Sequence, residues 1–433
     1  MKPHKKTPYG LFLVCLMMLV SCANEINIEE AFSYTRSVVV DGRLTDENKV
    51  HEVRLSYSVP VNEDISLPIS GANVWVEDDL GGRINYEELG DGNYATEQAV
   101  QGEVGRSYKL VFTTEDGITY ESTSEELISS PPVSRFYAEY INDPLISEEQ
   151  GLQFFVDVEE TGNSQFFRYE WNDAAQIIVP LPGRYNILKK QGPEIGETHH
   201  LYSPREILPD TCFRLGYTGQ ILLNTTVGSS DEKVLDSPIR FIELDSLQYV
   251  ERYSIEVKQF SMTKAAYDFY RNLRQYNEYN GSLFDRQQGV LNGNIKRSDD
   301  ENEVVLGYFQ VSGVSSTRLF FDSEELETLF SIELDDLSDT CEPDDIREVL
   351  ISLFDTSLLE NGRLDGYADH DAGEIAVFYE PPMNSGLEVI DWAEERDSQG
   401  DLFAVRLFLA HVTCIDCRRY TAERIVKPAY WIQ

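Results

Sequence analysis

From Ser37 to about Ser130, apolar residues recur at every second position. Val53, Leu55 and Tyr57 alternate with polar neighbours in "HEVRLSYSVP". Val74 and Val76 share one face of "ANVWVEDDLGG", and the alternation resumes at Ile84 and Tyr86 after Gly81-Gly82. Tyr108, Leu110 and Phe112 repeat it; Ile118 and Tyr120 restart it beyond Asp116-Gly117. Successive side chains of a strand face opposite ways, so this period marks strands with one buried face. The Gly-Gly and Asp-Gly pairs supply the positive φ that tight hairpins need. About seven short strands in roughly 95 residues predict an immunoglobulin- or fibronectin-like β-sandwich over residues 37–130.

Beyond it, "ISSPPVSR" (128–135) reads as a linker, since Pro131 and Pro132 stiffen the chain and break strands. Residues 133–433 read as a larger β-rich domain. "GLQFFVDVEE", "QFFRYEWNDA" and "YSIEVKQFS" predict strands, whereas the proline-rich stretch from Ala175 to about Thr226 predicts long loops. One helix is expected at about 262–280, with Thr263 capping its start and Gly281 its end. Phe269, Leu273 and Tyr276 recur there at helical spacing. "VVLGYFQVSG" and "TRLFFDS" read as two strands, and "SEELETLF" and "PDDIREVLISLF" as short helices. "EIAVFYE" and "LFAVRLFLAHV" are expected to close the sheet. The fold class is thus mainly β, and no repeat of 20–50 residues is present.

The N-terminal stretch changes the compartment. "MKPHKKTPYG" carries three lysines and no acid, and the apolar run "LFLVCLMMLV" follows. A run of about ten residues is too short to span a bilayer but suits a secretory signal. Leu19-Val20-Ser21-Cys22 fits a bacterial lipobox. Residues 1–21 then form the signal peptide, Cys22 carries the lipid, and 22–36 form a tether. Such an anchor holds the chain on a membrane that it does not cross. By resemblance to other bacterial lipoproteins, Ala23 in place of an aspartate implies the outer membrane, and the early acids Glu25, Glu29 and Glu30 resemble a signal for display on the cell exterior.

Charge removes some partners. The chain carries 36 Lys and Arg against 76 Asp and Glu, a net charge of -40. Loss of residues 1–21 removes three lysines and brings it to -43. Nucleic acid binding needs a basic stripe and is not expected. Acidity of this size suits a solvated extracytoplasmic surface.

No catalytic signature stands in the chain: no H-E-x-x-H, G-x-S-x-G, Walker loop or G-x-G-x-x-G. No enzyme activity and no cofactor are therefore expected. His199-His200 reads as a surface pair rather than a metal site. No metal is expected either; the nearest approach to a calcium set is Asp365, Asp369, Asp371 and Glu374, which departs from the EF-hand order. The alternative for that stretch is an exposed acidic turn. Cys212, Cys341, Cys414 and Cys417 remain after processing. In an oxidising compartment an even count reads as disulfides, with redox or metal roles for the Cys414-Cys417 pair as alternatives. Cys212 and Cys341 are the expected separate partners of Cys414 and Cys417, in either pairing.

Several stretches together resemble the Bacteroidota outer-membrane lipoproteins grouped as domain of unknown function 4249. They include "VVVDGRLTDE", "PISGANVWVEDDLGG", "GRSYKLVFTTEDGITYES", "CFRLGYTGQILLNTT", "YSIEVKQFSMTKAAYDFYRNL" and the closing "CIDCRRYTAERIVKPAYW". Arg419-Tyr420-Thr421 departs from the Gly-Gly-Thr-like turn usual there. The resemblance implies an accessory or substrate-capturing partner of a TonB-dependent outer-membrane receptor in nutrient uptake, with no catalytic residues to carry over. The rival expectations are a surface hydrolase of glycans or peptides and a structural or adhesive envelope module.

Overall fold

The computed structural model describes residues 36–60, 65, 67–142, 149–180, 185–191, 198–204, 211–228, 232–278, 291, 293–335, 337, 341, 347–352, 364–369, 374–379, 387–396, 402–411, 417 and 427–431. The chain is mainly β.

Seven strands carry the first segment: β1 (Val38–Thr45), β2 (Glu52–Tyr57), β4 (Asn73–Asp78), β5 (Arg83–Gly90), β6 (Asn93–Thr96), β7 (Ser107–Thr113) and β8 (Thr119–Ser122). Two-residue strands β3 (Leu67–Pro68) and β9 (Glu125–Glu126) pair with β2 and β7. The hydrogen-bonded order β1-β2-β6-β5-β4-β7-β8 is antiparallel throughout. The alternating residues meet in one core: Val40, Leu44, Val53, Leu55, Val74, Val76, Tyr94, Leu110, Phe112 and Tyr120 are buried together. Gly81 and Gly117 adopt positive φ in the expected turns.

The second segment is a sandwich of its own. Strands β10 (Arg135–Ile141), β11 (Gly151–Val158) and β17 (Val234–Glu243) form a three-stranded sheet. It packs on the sheet of β12 (Phe166–Ile178), β15 (Thr211–Tyr217), β18 (Arg252–Ser261) and β20 (Leu306–Asp322). Leu152, Phe154 and Val156 from one face meet Phe167, Tyr169, Tyr253 and Ile255 from the other. Helix α1 (Lys264–Glu278) is capped by Thr263, whose hydroxyl accepts from the Ala266 amide at 3.2 Å. Its apolar face, including Phe269 and Leu273, packs with Phe260 and Tyr308, while Tyr276 stays at the surface. Helix α2 (Ser323–Phe330) begins in a capping box between Asp322 and Glu325.

Strand β20 joins the two segments. "VVLGYFQVSG" and "TRLFFDS" are one strand of 17 residues, not two. Gly313, Val314 and Ser315 stay extended because Ser261, Phe260 and Gln259 of β18 pair with them. The first part of β20 pairs in parallel with β1, from Val39↔Leu306 to Thr45↔Ser312. The rest pairs antiparallel with β18. On the other edge, the short β19 (Ile295–Arg297) extends β8, and the Asn294 side chain spans to both backbone groups of Phe309 at 2.9 Å. The first sheet thus curls round its core and returns to β20. The Pro-Pro stretch lies pinned at the same junction. Gln259 Nε2 donates to the Pro131 carbonyl at 2.8 Å, and the Gly313 amide to Ile128 O at 2.9 Å.

Elsewhere the stretch 175–226 holds strands where long loops are expected; Pro182, Pro193 and Pro209 lie outside the described residues. β13 (Tyr185–Gln191) and β14 (Thr198–Pro204) form a hairpin, β15 follows, and β16 (Leu222–Thr225) pairs with β12. Proline cannot donate inside a sheet but is tolerated at a strand end, where Pro204 sits. "PDDIREVLISLF" gives strand β21 (Arg347–Ser352) rather than a helix, because its apolar run pairs with β25 (Leu402–His411). "LFAVRLFLAHV" and "EIAVFYE" occupy separate small sheets, β21-β25-β24 (Leu387–Arg396) and β22 (Leu364–Asp369) with β23 (Glu374–Tyr379). Gly281 lies outside the described residues.

Gly307 tests the junction. Its φ is +91°, and a Cβ there would lie 1.8 Å from the carbonyl oxygen of Val40. Gly307→Ala should destabilise the protein by about 2 kcal/mol or more and lower the melting temperature by several degrees. An unchanged thermal melt would contradict the parallel β1–β20 pairing.

Candidate functional site

The cysteines and one acidic turn are the positions that the sequence singles out. The structure joins Cys212 on β15 to Cys417, 205 residues apart, with Cα atoms 5.7 Å from each other. Cys341 is also disulfide-bonded. Cys212, Cys341 and Cys417 are all buried. Cross-links closing loops of this length restrict the unfolded chain, by a few kcal/mol in the entropic account. Cys22 and Cys414 lie outside the described residues. Of the calcium candidates, Asp365 and Asp369 fall on β22, with Asp369 opposite Glu374 of β23 in register. Asp371 lies outside the described residues. No group of three or more His, Cys, Asp and Glu is placed to hold a metal among the described residues. His199 and His200 are consecutive residues of β14, opposite Lys190 and Lys189.

A different place has the geometry of a site. A cleft of about 880 Å³ opens where β1 and β2 of the first segment meet β12, β18 and α1 of the second. That volume lies in the range of small-molecule sites, about 300–1,000 Å³. On β1, the positions facing away from the core carry Asp41 and Arg43. On β12, Arg168 and Glu170 alternate with the buried Phe167 and Tyr169. In register with them on β18 stand Phe260 and Lys258. Trp171, Tyr217 and Tyr270 add aromatic surface.

The cleft reverses the charge balance of the chain. Arg43, Lys49, Arg54, Arg168 and Lys258 line it against Asp41, Glu52 and Glu170. Glu170 Oε1 accepts from Arg43 at 3.0 Å and from Arg168 at 2.7 Å. Burial works to raise the Glu170 pKa, but the two guanidiniums outweigh it and hold the carboxyl below its usual range. Arg168 also donates to the fully buried Gln310 at 2.9 Å. Arg43 lies over the Phe260 ring at 4.4 Å and Arg168 over Tyr270 at 4.3 Å. At the rim, Glu47 accepts from Lys258 at 2.7 Å and Lys49 at 2.5 Å. Burial would raise its pKa too, yet the two ammonium groups push it down to about 2. His51 is buried beside them, its Nε2 3.1 Å from Val100 O, and burial lowers its pKa.

None of these cleft residues stood out in the sequence. The available signal was the polar half of the alternation, Asp41 and Arg43 in "VVVDGRL" and Arg168 and Glu170 in "FFRYEW". That half marks a solvent face on any strand; only the pairing through β20 brings these two faces together.

Glu47 gives a pH test. Its pKa falls from 4.5 in the unfolded chain to about 2. The stabilisation is therefore fully present above pH 4.5 and lost as pH falls toward 2. Glu47→Gln should cost about 1–2 kcal/mol near neutrality, since the pair is partly solvent-screened. The gap in melting temperature between the two proteins should close as the pH falls from 5 to about 2. A gap that stays constant would refute the ion-pair assignment.

No curated protein matches the chain. The family model described as "Domain of unknown function (DUF4249)" matches residues 24–318. The match spans all of the first segment, the cleft and most of β20, more than half of the 433 residues. The chain belongs to the DUF4249 family.

Proposed function

We propose that this chain is a lipid-anchored outer-membrane protein, facing the cell exterior, that captures a ligand for a TonB-dependent receptor in nutrient uptake. The observation that carries the reading is the cleft between the two segments, of small-molecule size and lined from both sides. Two carboxylates there, Glu170 and Glu47, suit binding rather than proton transfer. A general acid needs a pKa raised toward the working pH. Glu170 and Glu47 are shifted the other way by their cationic partners. This favours capture over the hydrolase reading, and the cleft itself favours capture over a purely adhesive module. The lipobox at Cys22 supports the anchor, and the acidic chain supports an extracytoplasmic surface. No described helix is long and apolar enough to cross a membrane, so the lipid is the attachment in this reading.

Affinity isolation of the full-length lipoprotein from detergent-solubilised outer membrane tests the partner. Co-recovery of a receptor barrel is the expected result, and Cys22→Ser should release the protein from the membrane fraction. Recovery of the lipoprotein alone would sink the receptor assignment.

A further inference from the structure

We infer that the cleft takes an anionic ligand, seating a carboxylate or phosphate group against Arg43 and Arg168. The inference deepens the capture reading and rests on it in treating the cleft as a ligand site.

The two guanidiniums share one carboxylate oxygen, Glu170 Oε1. One carboxylate oxygen thus serves both guanidiniums, and Asp41 is the other acid beside Arg43. Among the described residues, Arg43 Nε and Nη1 and Arg168 Nε have no hydrogen-bond acceptor. A guanidinium is planar, permanently charged and suited to paired contacts with carboxylate or phosphate oxygens. Both are held in place before any ligand arrives. Phe260 and Tyr270 support their faces, and the buried Gln310 amide fixes Arg168 from beneath. Preorganisation of this kind lowers the ordering cost of binding.

The same stacking argues against a neutral sugar as the preferred ligand. Sugars are commonly held by a free aromatic face. Of the cleft rings, Phe260, Tyr270 and Trp171 each carry an arginine on one face, the last Arg240 at 4.5 Å, while Tyr217 stands exposed. The cleft surface is therefore guanidinium as much as ring. Its lining holds five basic residues to three acidic, with Glu47 bonded to both lysines at the rim, in a chain where acids outnumber bases by 76 to 36. A local positive field in a negative molecule concentrates an anion at that point and repels it elsewhere.

Isothermal titration calorimetry on the mature chain tests this, with a galacturonate dimer, inorganic phosphate and the neutral galactose dimer as probes. At low salt, at least one of the two anions should bind, and the neutral dimer should bind about tenfold more weakly or not at all. Which anion binds identifies the source of the charge. Raising salt should weaken binding. Arg43→Gln should lower the affinity by about tenfold. Glu170→Gln should raise it several-fold, because it removes the internal competitor; both variants are compared at matched thermal melts, so that the affinities report contacts and not folding. Preference for the neutral dimer, binding of neither anion, or a parallel loss in both variants would overturn the assignment. The titration needs no receptor, so a failed co-isolation leaves it standing, and the reverse holds too.

Discussion

Strand β20 is hydrogen-bonded to β1 through residues 306–312 and to β18 through residues 313–322. One extended segment therefore belongs to two cores. Phe309 and Val311 are buried with the first-segment side chains, and Leu319 and Phe321 pack against the second. At the changeover four polar residues, Gln310, Ser312, Gln259 and Ser261, are fully buried beside Val311 and Phe260. Polar groups in such a place are costly unless paired. The Arg168–Gln310–Ser312 chain and the Gln259 contacts to Ser130 and Pro131 supply most of that pairing. This seam sets the distance between β1 and β12, and hence the width of the cleft. Gly307 and Gly42 let the backbones approach: a Cβ at Gly42 would meet the Val53 side chain at 2.8 Å.

Much of the architecture was legible where burial is one-sided. Val53, Leu55, Leu110 and Phe112 alternate because one face of each strand is in a core, and they lie where the period puts them. Thr263 before "KAAYDF" announced α1, and "SEELETLF" reads as the short helix α2. The misreadings have a common cause. Val349, Leu350 and Ile351 make an apolar run too short to separate strand from helix, and pairing with β25 decides it. Gly313 and the serines after it weaken the strand signal in β20, yet pairing with β18 keeps them extended. The prolines of 175–226 signalled loops, yet β13 to β16 run through that stretch, with Pro204 at a strand end. In each case a long-range hydrogen-bond partner overrode a local preference.

The cleft was not legible, for a related reason. Arg43 and Arg168 lie 125 positions apart, and each reads alone as a solvated residue on a strand. Their significance comes from sharing Glu170, and that depends on β1 and β12 standing on either side of β18 and β20. The cysteines were conspicuous in sequence and serve the scaffold: the bond from Cys212 to Cys417 ties the end of the chain to β15. Trp431 then packs edge-on to Phe213 and Phe320, and Arg318 lies 3.5 Å from the Tyr430 ring. The chain end thus covers the sheet next to Asn172 and Tyr217, which line the cleft.

The central claim is that β20 makes the two segments one folding unit with the cleft at its seam. Native-state hydrogen exchange on the full chain, followed by mass spectrometry, tests it most directly. Peptides from β1, β18 and β20 should share one opening free energy and exchange together as denaturant is added. Opening of residues 38–126 at a lower free energy, with β18 still protected, would contradict it.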